Sequence, residues 1–324
     1  MKSWQTKSLT ILVVMAGLVV IPFFASGYIT RFLTAVFMYL ILTQAWNLFG
    51  GYTGYISFGH VAFFGVGAYS TAICMTKLNL PFHIGLAASA LVPTIVALGL
   101  SFILFKLRGH YFVMGSLAIA EVFREIVSNM TSVTEGGMGI TMPLLPWEVE
   151  TLNKVFYFLM LITAVVTAIT VLITVRSRYG YAFRAIRDGE LGASAIGINT
   201  TLYKTFSLCL SALFVGITGG IYAYWITYIE PNNVFNAQIS ILMLVMVYLG
   251  GRGTILGPIL GASVLELLSE IFWVKFLTIH TAILGIMIVV VVLFMPGGIM
   301  ELVTRGRAGI SWQWFKQNLT RYKV

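Results

Sequence analysis

Residues 154–228 read KVFYFLMLITAVVTAITVLITV (154–175), RSRYGYAFRAIRDGELGASAIGINTTLYK (176–204) and TFSLCLSALFVGITGGIYAYWITY (205–228). The hydrocarbon core of a bilayer is about 30 Å thick, so a helix needs about 20 apolar residues to cross it. Both outer runs meet that length. The loop between them carries Arg176, Arg178, Arg184, Arg187 and Lys204, and basic residues collect in cytoplasmic loops. The stretch therefore predicts a span, a cytoplasmic loop and a returning span.

The same pattern extends over the whole chain. Ten hydrophobic segments are predicted, at 9–27, 32–49, 56–76, 84–105, 110–128, 154–175, 205–228, 238–250, 259–274 and 279–296. A 324-residue chain that is 59% hydrophobic and 10% charged, with mean hydropathy +0.93, cannot hide that much apolar surface in a water-soluble core. The expected fold is an all-α polytopic membrane bundle of about ten spans, with a range of eight to eleven. The third segment is glycine-rich and the eighth and ninth are short, as in broken or re-entrant spans.

Placing both termini in the cytoplasm puts Lys106, Arg108, the 176–204 loop and Arg252 inside, together with the basic residues of both ends. Arg31, Lys77, Lys154 and Lys275 fall outside, and the outer loop 129–153 carries Glu135, Glu148 and Glu150. The first segment, behind Lys2 and Lys7, is expected to be an uncleaved span, because no small-residue cleavage pattern follows it. Residues 1–304 are expected to form one transmembrane domain, and 305–324 a basic cytoplasmic or interfacial tail. The net charge of +9 fits membrane topology better than nucleic acid, since the basic residues are scattered between apolar spans. Gly50-Gly51 and Gly250-Gly251 open glycine-rich stretches in the two halves. They leave open whether the chain is an internal duplication or a bundle with small residues at its contacts.

The 176–204 loop is compatible with a helix from about Tyr181 to Ile196, ending near Gly197 and Asn199. Within it, Ala185-Ile186-Arg187-Asp188, Glu190, Ala193 and Gly197-Ile198-Asn199 resemble the cytoplasmic loop of the branched-chain amino-acid permeases of ABC transporters. The resemblance continues through Asn47-Leu48, Gly54, Ser57-Phe58-Gly59 and Gly67-Ala68-Tyr69, then Leu107-Arg108-Gly109 and Gly139-Ile140. It closes with Gly250-Gly251, Gly253-Thr254 and Gly257-Pro258. Five fragments in the correct order cover most of the chain, and its length is similar to that of the longer permease of the usual pair.

The resemblance implies a bacterial inner-membrane importer subunit working with a second related permease, two ATPase subunits and a periplasmic or lipid-anchored solute-binding protein. It assigns ATPase coupling to Arg184, Arg187, Asp188, Glu190, Ala193 and Gly197. ATP and Mg would be bound by the partner ATPases, and no cofactor by this chain, which has no phosphate loop of the form GxxxxGK[ST]. Branched-chain or related hydrophobic amino acids are the implied solutes; urea and short amides stay open. His60, Glu135 and Met138 depart from the residues commonly found at those family positions, which loosens the solute rather than the transporter class.

Polar groups at the glycine-rich span, namely Asn47, Tyr55, Ser57, Gly59 and His60, are the candidate translocation path. Helix packing accounts for the same residues. Glu121, Arg124 and Glu125 form an intramembrane charge cluster, and Glu266 and Glu270 repeat the carboxylate spacing. Such charges in a bilayer must pair or face water. They fit a structural ion pair or, alternatively, the proton relay of an ion-coupled carrier. No nucleophile elbow, HExxH or paired-cysteine pattern is present, and Cys74 and Cys209 lie in apolar runs, so enzymatic chemistry is not expected.

Overall fold

In lipid no water satisfies exposed backbone amides, so long apolar runs must close their hydrogen bonds internally as helix. The computed structural model describes residues 13, 15–144, 146–275, 285 and 298–305, and they are mostly helical. The major helices are α1 (Met15–Phe24), α2 (Gly27–Trp46), α3 (His60–Thr76), α4 (Phe82–Leu104) and α5 (His110–Asn129). After the short α6 (Thr131–Thr134) come α7 (Val149–Arg176), α8 (Arg178–Asp188), α9 (Glu190–Ala195) and α10 (Thr200–Ile226). The chain continues through α11 (Pro231–Val234), α12 (Ala237–Gly250), α13 (Leu256–Lys275) and α14 (Gly298–Arg305). Among the described residues, five stretches are long and apolar enough to cross a membrane: 27–51, α4, α7, α10 and 231–250. The tenth predicted segment and nearly all of the basic tail lie outside the described residues, as do Lys2 and Lys7.

Helix α10 is the central pillar, packed most extensively against α3 and α4 and also touching α2 and α7. Its closeness to α3 depends on small residues. A side chain on Gly67 would strike the Gly216 carbonyl, and one on Gly219 the Phe64 carbonyl. Pro93 removes the helical donor of the Ser89 carbonyl in α4, and that carbonyl faces Gly216. Large apolar groups of α4 such as Leu91, Ile95 and Phe102 are exposed, as suits a helix face bathed in lipid.

The loop after α5 adds the one departure from an all-helical chain among the described residues. Ile140 and Thr141 (β1) pair antiparallel with Ile229 and Tyr228 (β2), and Met142 N–H donates to the Thr227 carbonyl at 2.8 Å. Ile140 and Met142 are buried here, so their backbone groups need partners that a free loop would take from water. Apolar periodicity carries no signal for so short a ladder. At this same end Lys77 pairs with Glu135 at 2.7 Å. The opposite end gathers the start of α5, the 176–204 loop and the α12–α13 turn, and with them Arg108, Arg187, Lys204 and Arg252.

Replacing Gly67 by valine forces α3 and α10 apart, an overpacking cost of about 1–3 kcal/mol. Gly67→Val is expected to lower the thermal midpoint in detergent by several degrees. Gly99→Ala, on the open face of α4 where an added methyl meets nothing, should leave that midpoint unchanged or raise it.

Candidate functional site

Two helices break inside the bundle, and each break lies at a Gly-Gly pair. Helix α2 runs into a π turn, Asn47–Gly51, and residues 52–59 are non-helical before α3 begins. The second break separates α12 from α13 at residues 251–255. Asn47 joins them: its Nδ2 donates to the Thr254 carbonyl at 2.8 Å and its Oδ1 accepts from Gly253 N–H at 2.8 Å. Gln44 adds a bond from Nε2 to the Ile255 carbonyl at 2.7 Å.

The amides freed at the first break are also matched. Phe58 N–H donates to Ser116 Oγ at 3.0 Å, Gly59 N–H to Ser57 Oγ at 3.1 Å and Val61 N–H to Ser240 Oγ at 3.0 Å. Trp46 Nε1–H donates to the Ser57 carbonyl at 2.7 Å. Ser57 therefore bonds within the irregular segment rather than to its own helix. His60, fully buried, places Nε2 at 2.9 Å from Ser211 Oγ, which donates to the Ala45 carbonyl at 2.7 Å. That hydroxyl has spent its proton, so the Nε2 of His60 carries a hydrogen and donates. Asn47, Ser57, Gly59 and His60 are thus buried and tied into the break in this conformation. Tyr55 alone of the five path candidates lines open space, in two clefts of about 270 and 340 Å³.

The 176–204 loop folds as an elbow. The sequence predicts one helix over 181–196; the structure has α8 and α9, divided at Gly189, whose φ of 172° and ψ of 108° interrupt the helical ladder. Asn199 caps the following helix: its side chain accepts from Leu202 N–H at 3.1 Å, so it starts α10, while Gly197 takes the left-handed turn with φ 87°. Ser177 caps α8 by accepting from Tyr179 N–H at 3.2 Å. Phe183, fully buried, packs with Leu48 and Tyr52 of the first break and with Val171 and Val175 of α7.

Further along the elbow, the Arg187 side chain lies over both breaks. A methyl built on Gly54 would come within 2.9 Å of Arg187 Cγ, and one on Gly253 within 2.7 Å of Arg187 Nη1. Both glycines have positive φ, so neither position accepts a side chain on conformational grounds or for space. Glu190, at the start of α9, accepts a hydrogen bond from the Tyr55 hydroxyl and pairs with Lys204. The Lys204 ammonium is buried, stands 4.8 Å above the Tyr55 ring and 5.0 Å above that of Phe105, and donates to Tyr55 Oη at 3.3 Å. Tyr55 itself stacks edge-on against Phe112, with centroids 5.1 Å apart.

The remaining candidates sit apart from this knot. Arg184 lies 4.9 Å over the exposed Tyr181 ring, Asp188 takes Arg187 Nε at 3.4 Å, and Ala193 is buried. Arg124 bridges Glu121 at 2.8 Å and Glu125 at 2.9 Å and donates to Asn232 at 3.1 Å, with all three side chains of the cluster partly exposed. Glu270 accepts from the Tyr28 hydroxyl. Among the described residues no cluster of three metal-ligating side chains occurs. Lys204 and Phe183 are not site candidates from the sequence. Lys204 gives one usable signal, a lysine at the threshold of an apolar run, where burial demands a counter-charge.

Burial by itself raises the Glu190 pKa, but hydrogen bonds from Lys204, Tyr55 and Thr200 and the Lys204 charge more than offset this, so the carboxyl stays below its usual range. A depressed carboxylate contributes stability above its unfolded-state pKa, about 4.3, and that contribution is lost as pH falls through the lower folded value. Glu190→Gln strands the Lys204 charge, a change that costs about 3–5 kcal/mol at a buried pair. The pair Glu190→Gln with Lys204→Met should recover most of it. Thermal unfolding in detergent at pH 7 and pH 3.5 checks both: the single variant should be the less stable at pH 7, and its disadvantage against the parent should be smaller at pH 3.5.

Residues 28–292 match the family described as the branched-chain amino acid transport system permease component. The chain is 26% identical over 309 residues to the high-affinity branched-chain amino acid transport system permease protein LivM of Salmonella typhimurium, covering 87% of this chain and 72% of that protein. Escherichia coli LivM is 25% identical with the same coverage. The autoinducer 2 import system permease protein LsrC of Yersinia enterocolitica is 26% identical over 62% of this chain and 58% of its own length. No solved structure matches. The family match spans most of the bundle, including both helix breaks and the elbow between α7 and α10. With its long apolar helices, the chain is a multi-pass inner-membrane protein and a non-catalytic transport subunit, and it belongs to the branched-chain amino-acid family of ABC-type permeases.

Proposed function

We propose that this chain is one permease of an ATP-binding-cassette importer for branched-chain or related hydrophobic amino acids, and that α8 and α9 form its ATPase-docking knob. The observation carrying the reading is the character of that knob. Its inner face is buried through Ala182, Phe183 and Ile186, while Tyr181, Leu191 and Ile196 are 67%, 77% and 74% exposed outside the apolar spans. Exposed apolar groups among charges such as Arg184, Arg187 and Asp188 suit a protein partner. The basic residues gathered at this end support a cytoplasmic position for the knob, where the ATPases would act.

A second related permease, two ATPases and a solute-binding protein complete the proposed assembly, with ATP and Mg held by the ATPases. Closure of the ATPases would move the knob, and the knob's buried face would carry that motion to residues 48–55 through Phe183, Arg187 and Glu190. The membrane part then exchanges between conformations that the nucleotide state biases. Most selectivity belongs to the binding protein, so urea or short amides are the alternative solutes to be tested against leucine, isoleucine and valine.

The test is uptake by proteoliposomes holding the complete complex. ATP-dependent leucine uptake, competed by isoleucine and valine but not by urea, is the expected result; urea uptake in its place would select the alternative. Leu191→Asp with Ile196→Asp should reduce uptake at least tenfold and weaken copurification of the ATPases, with the chain still inserted. Glu190→Lys and Gly197→Val should uncouple ATP hydrolysis from uptake. Wild-type uptake by these variants, or uptake by the chain alone on an ion gradient, would contradict the reading.

A further inference from the structure

The two clefts at the basic end share a wall. One is lined by Gly54, Tyr55, Ile56, His110, Phe112 and Val113, the other by Tyr55, Arg108, Gly189, Glu190 and Leu191, and Gly109 borders both. Tyr55 is the side chain that separates them, and its hydroxyl is bonded to Glu190 of the knob. We propose that the Tyr55–Glu190–Lys204 triad is a latch: it holds the Tyr55 ring across the cytoplasmic mouth of the cleft between residues 54–56 and the start of α5, and displacement of the knob releases it. This rests on the importer reading and adds to it the residue that closes the exit.

The geometry favours a gate over a fixed strut. The hydroxyl is the ring's polar attachment to the knob, whereas the ring's other neighbours, Phe49, Phe105 and Phe112, meet it through aromatic faces and edges at 5.1 to 6.2 Å. Such contacts change partners with modest loss, while a charge-assisted hydrogen bond is either made or broken. Lys204 belongs to α10, the central pillar, so Glu190 answers to two bodies: the pillar through Lys204 and the broken segment through Tyr55. A shift of α9 that breaks the Glu190 bond leaves the Tyr55 hydroxyl with the longer Lys204 contact of 3.3 Å and the ring with the Lys204 charge 4.8 Å above it, a weaker hold that loosens the ring. The two clefts then join into one opening between α5 and the cytoplasm. Tyr55 and Lys204 act here as positioning residues.

The experiment uses the assembled complex with Cys74→Ala, Cys209→Ala and Val113→Cys, the new thiol facing the inner cleft. Inside-out vesicles are exposed to a membrane-impermeant maleimide without nucleotide. Adding Tyr55→Phe, which removes only the hydroxyl, should speed labelling several-fold, raise ATP hydrolysis without binding protein, and lower the solute moved per ATP. Glu190→Gln with Lys204→Met is the second variant, should Tyr55→Phe assemble poorly, and should give the same faster labelling. A merely structural role predicts uptake and hydrolysis falling together with labelling unchanged. Equal labelling rates in parent and variant overturn the latch even where uptake is ATP-driven. Absence of ATP-driven uptake by the parent would overturn the importer reading, and the nucleotide-free labelling comparison would still decide the latch.

Discussion

One side-chain amide, that of Asn47, ties together the two places where the bundle's helices break. Backbone that leaves the helical ladder at membrane depth must find partners within the protein, and Asn47 supplies both a donor and an acceptor to the opposite break. The serines at 57, 116 and 240 satisfy the amides at the start of α3 in the same way. This internal bonding lets the segment 52–59 stay non-helical without water, and it sets the breaks at a fixed position relative to the central helix α10. Everything attached to the breaks inherits that position.

The elbow between α7 and α10 is so attached. Phe183 enters the core beside Leu48 and Tyr52, Arg187 lies over Gly54 and Gly253, and Glu190 meets Tyr55 and Lys204. Three kinds of contact, apolar, steric and charge-assisted, connect one side of the elbow to Leu48, Tyr52, Gly54 and Tyr55 of the broken segment. The other side presents Tyr181, Leu191 and Ile196 to the surroundings. A body anchored on one face and apolar on the other suits the proposed transfer of displacement from a partner to the membrane interior. The low dielectric around Lys204 makes its pairing with Glu190 a strong constraint on where the elbow sits.

Much of this was legible in the sequence. Unbroken apolar runs specified the long helices, because in lipid the helix is nearly the only way to close backbone bonds. The basic 176–204 loop and the Gly-Gly pairs stood out for the same reason: each interrupts that rule. What stayed hidden is pairing across distance. Tyr55 and Glu190 were candidates for two separate roles, path and coupling, and 135 residues separate them; only folding makes them neighbours. The division of the loop helix at Gly189 was missed because its flanks are good helix formers and a single glycine does not by itself end a helix. The β1–β2 ladder was missed because two residues carry no period. Asn47, Ser57 and His60, chosen as path residues for their polarity, are bonded to the breaks in this conformation, since polarity at membrane depth serves backbone satisfaction as readily as transport.

The central claim is that displacement of the elbow is passed to the break. Spin labels at Tyr181 on the exposed face of α8 and at Val113 on α5, in the assembled complex, measure it by pulsed dipolar spectroscopy. The account predicts that the distance between them changes between the nucleotide-free and ATP-trapped states, and that Phe183→Ala, which removes the apolar anchor, diminishes the change. A distance that stays constant through the ATP cycle of a complex actively importing solute would contradict it.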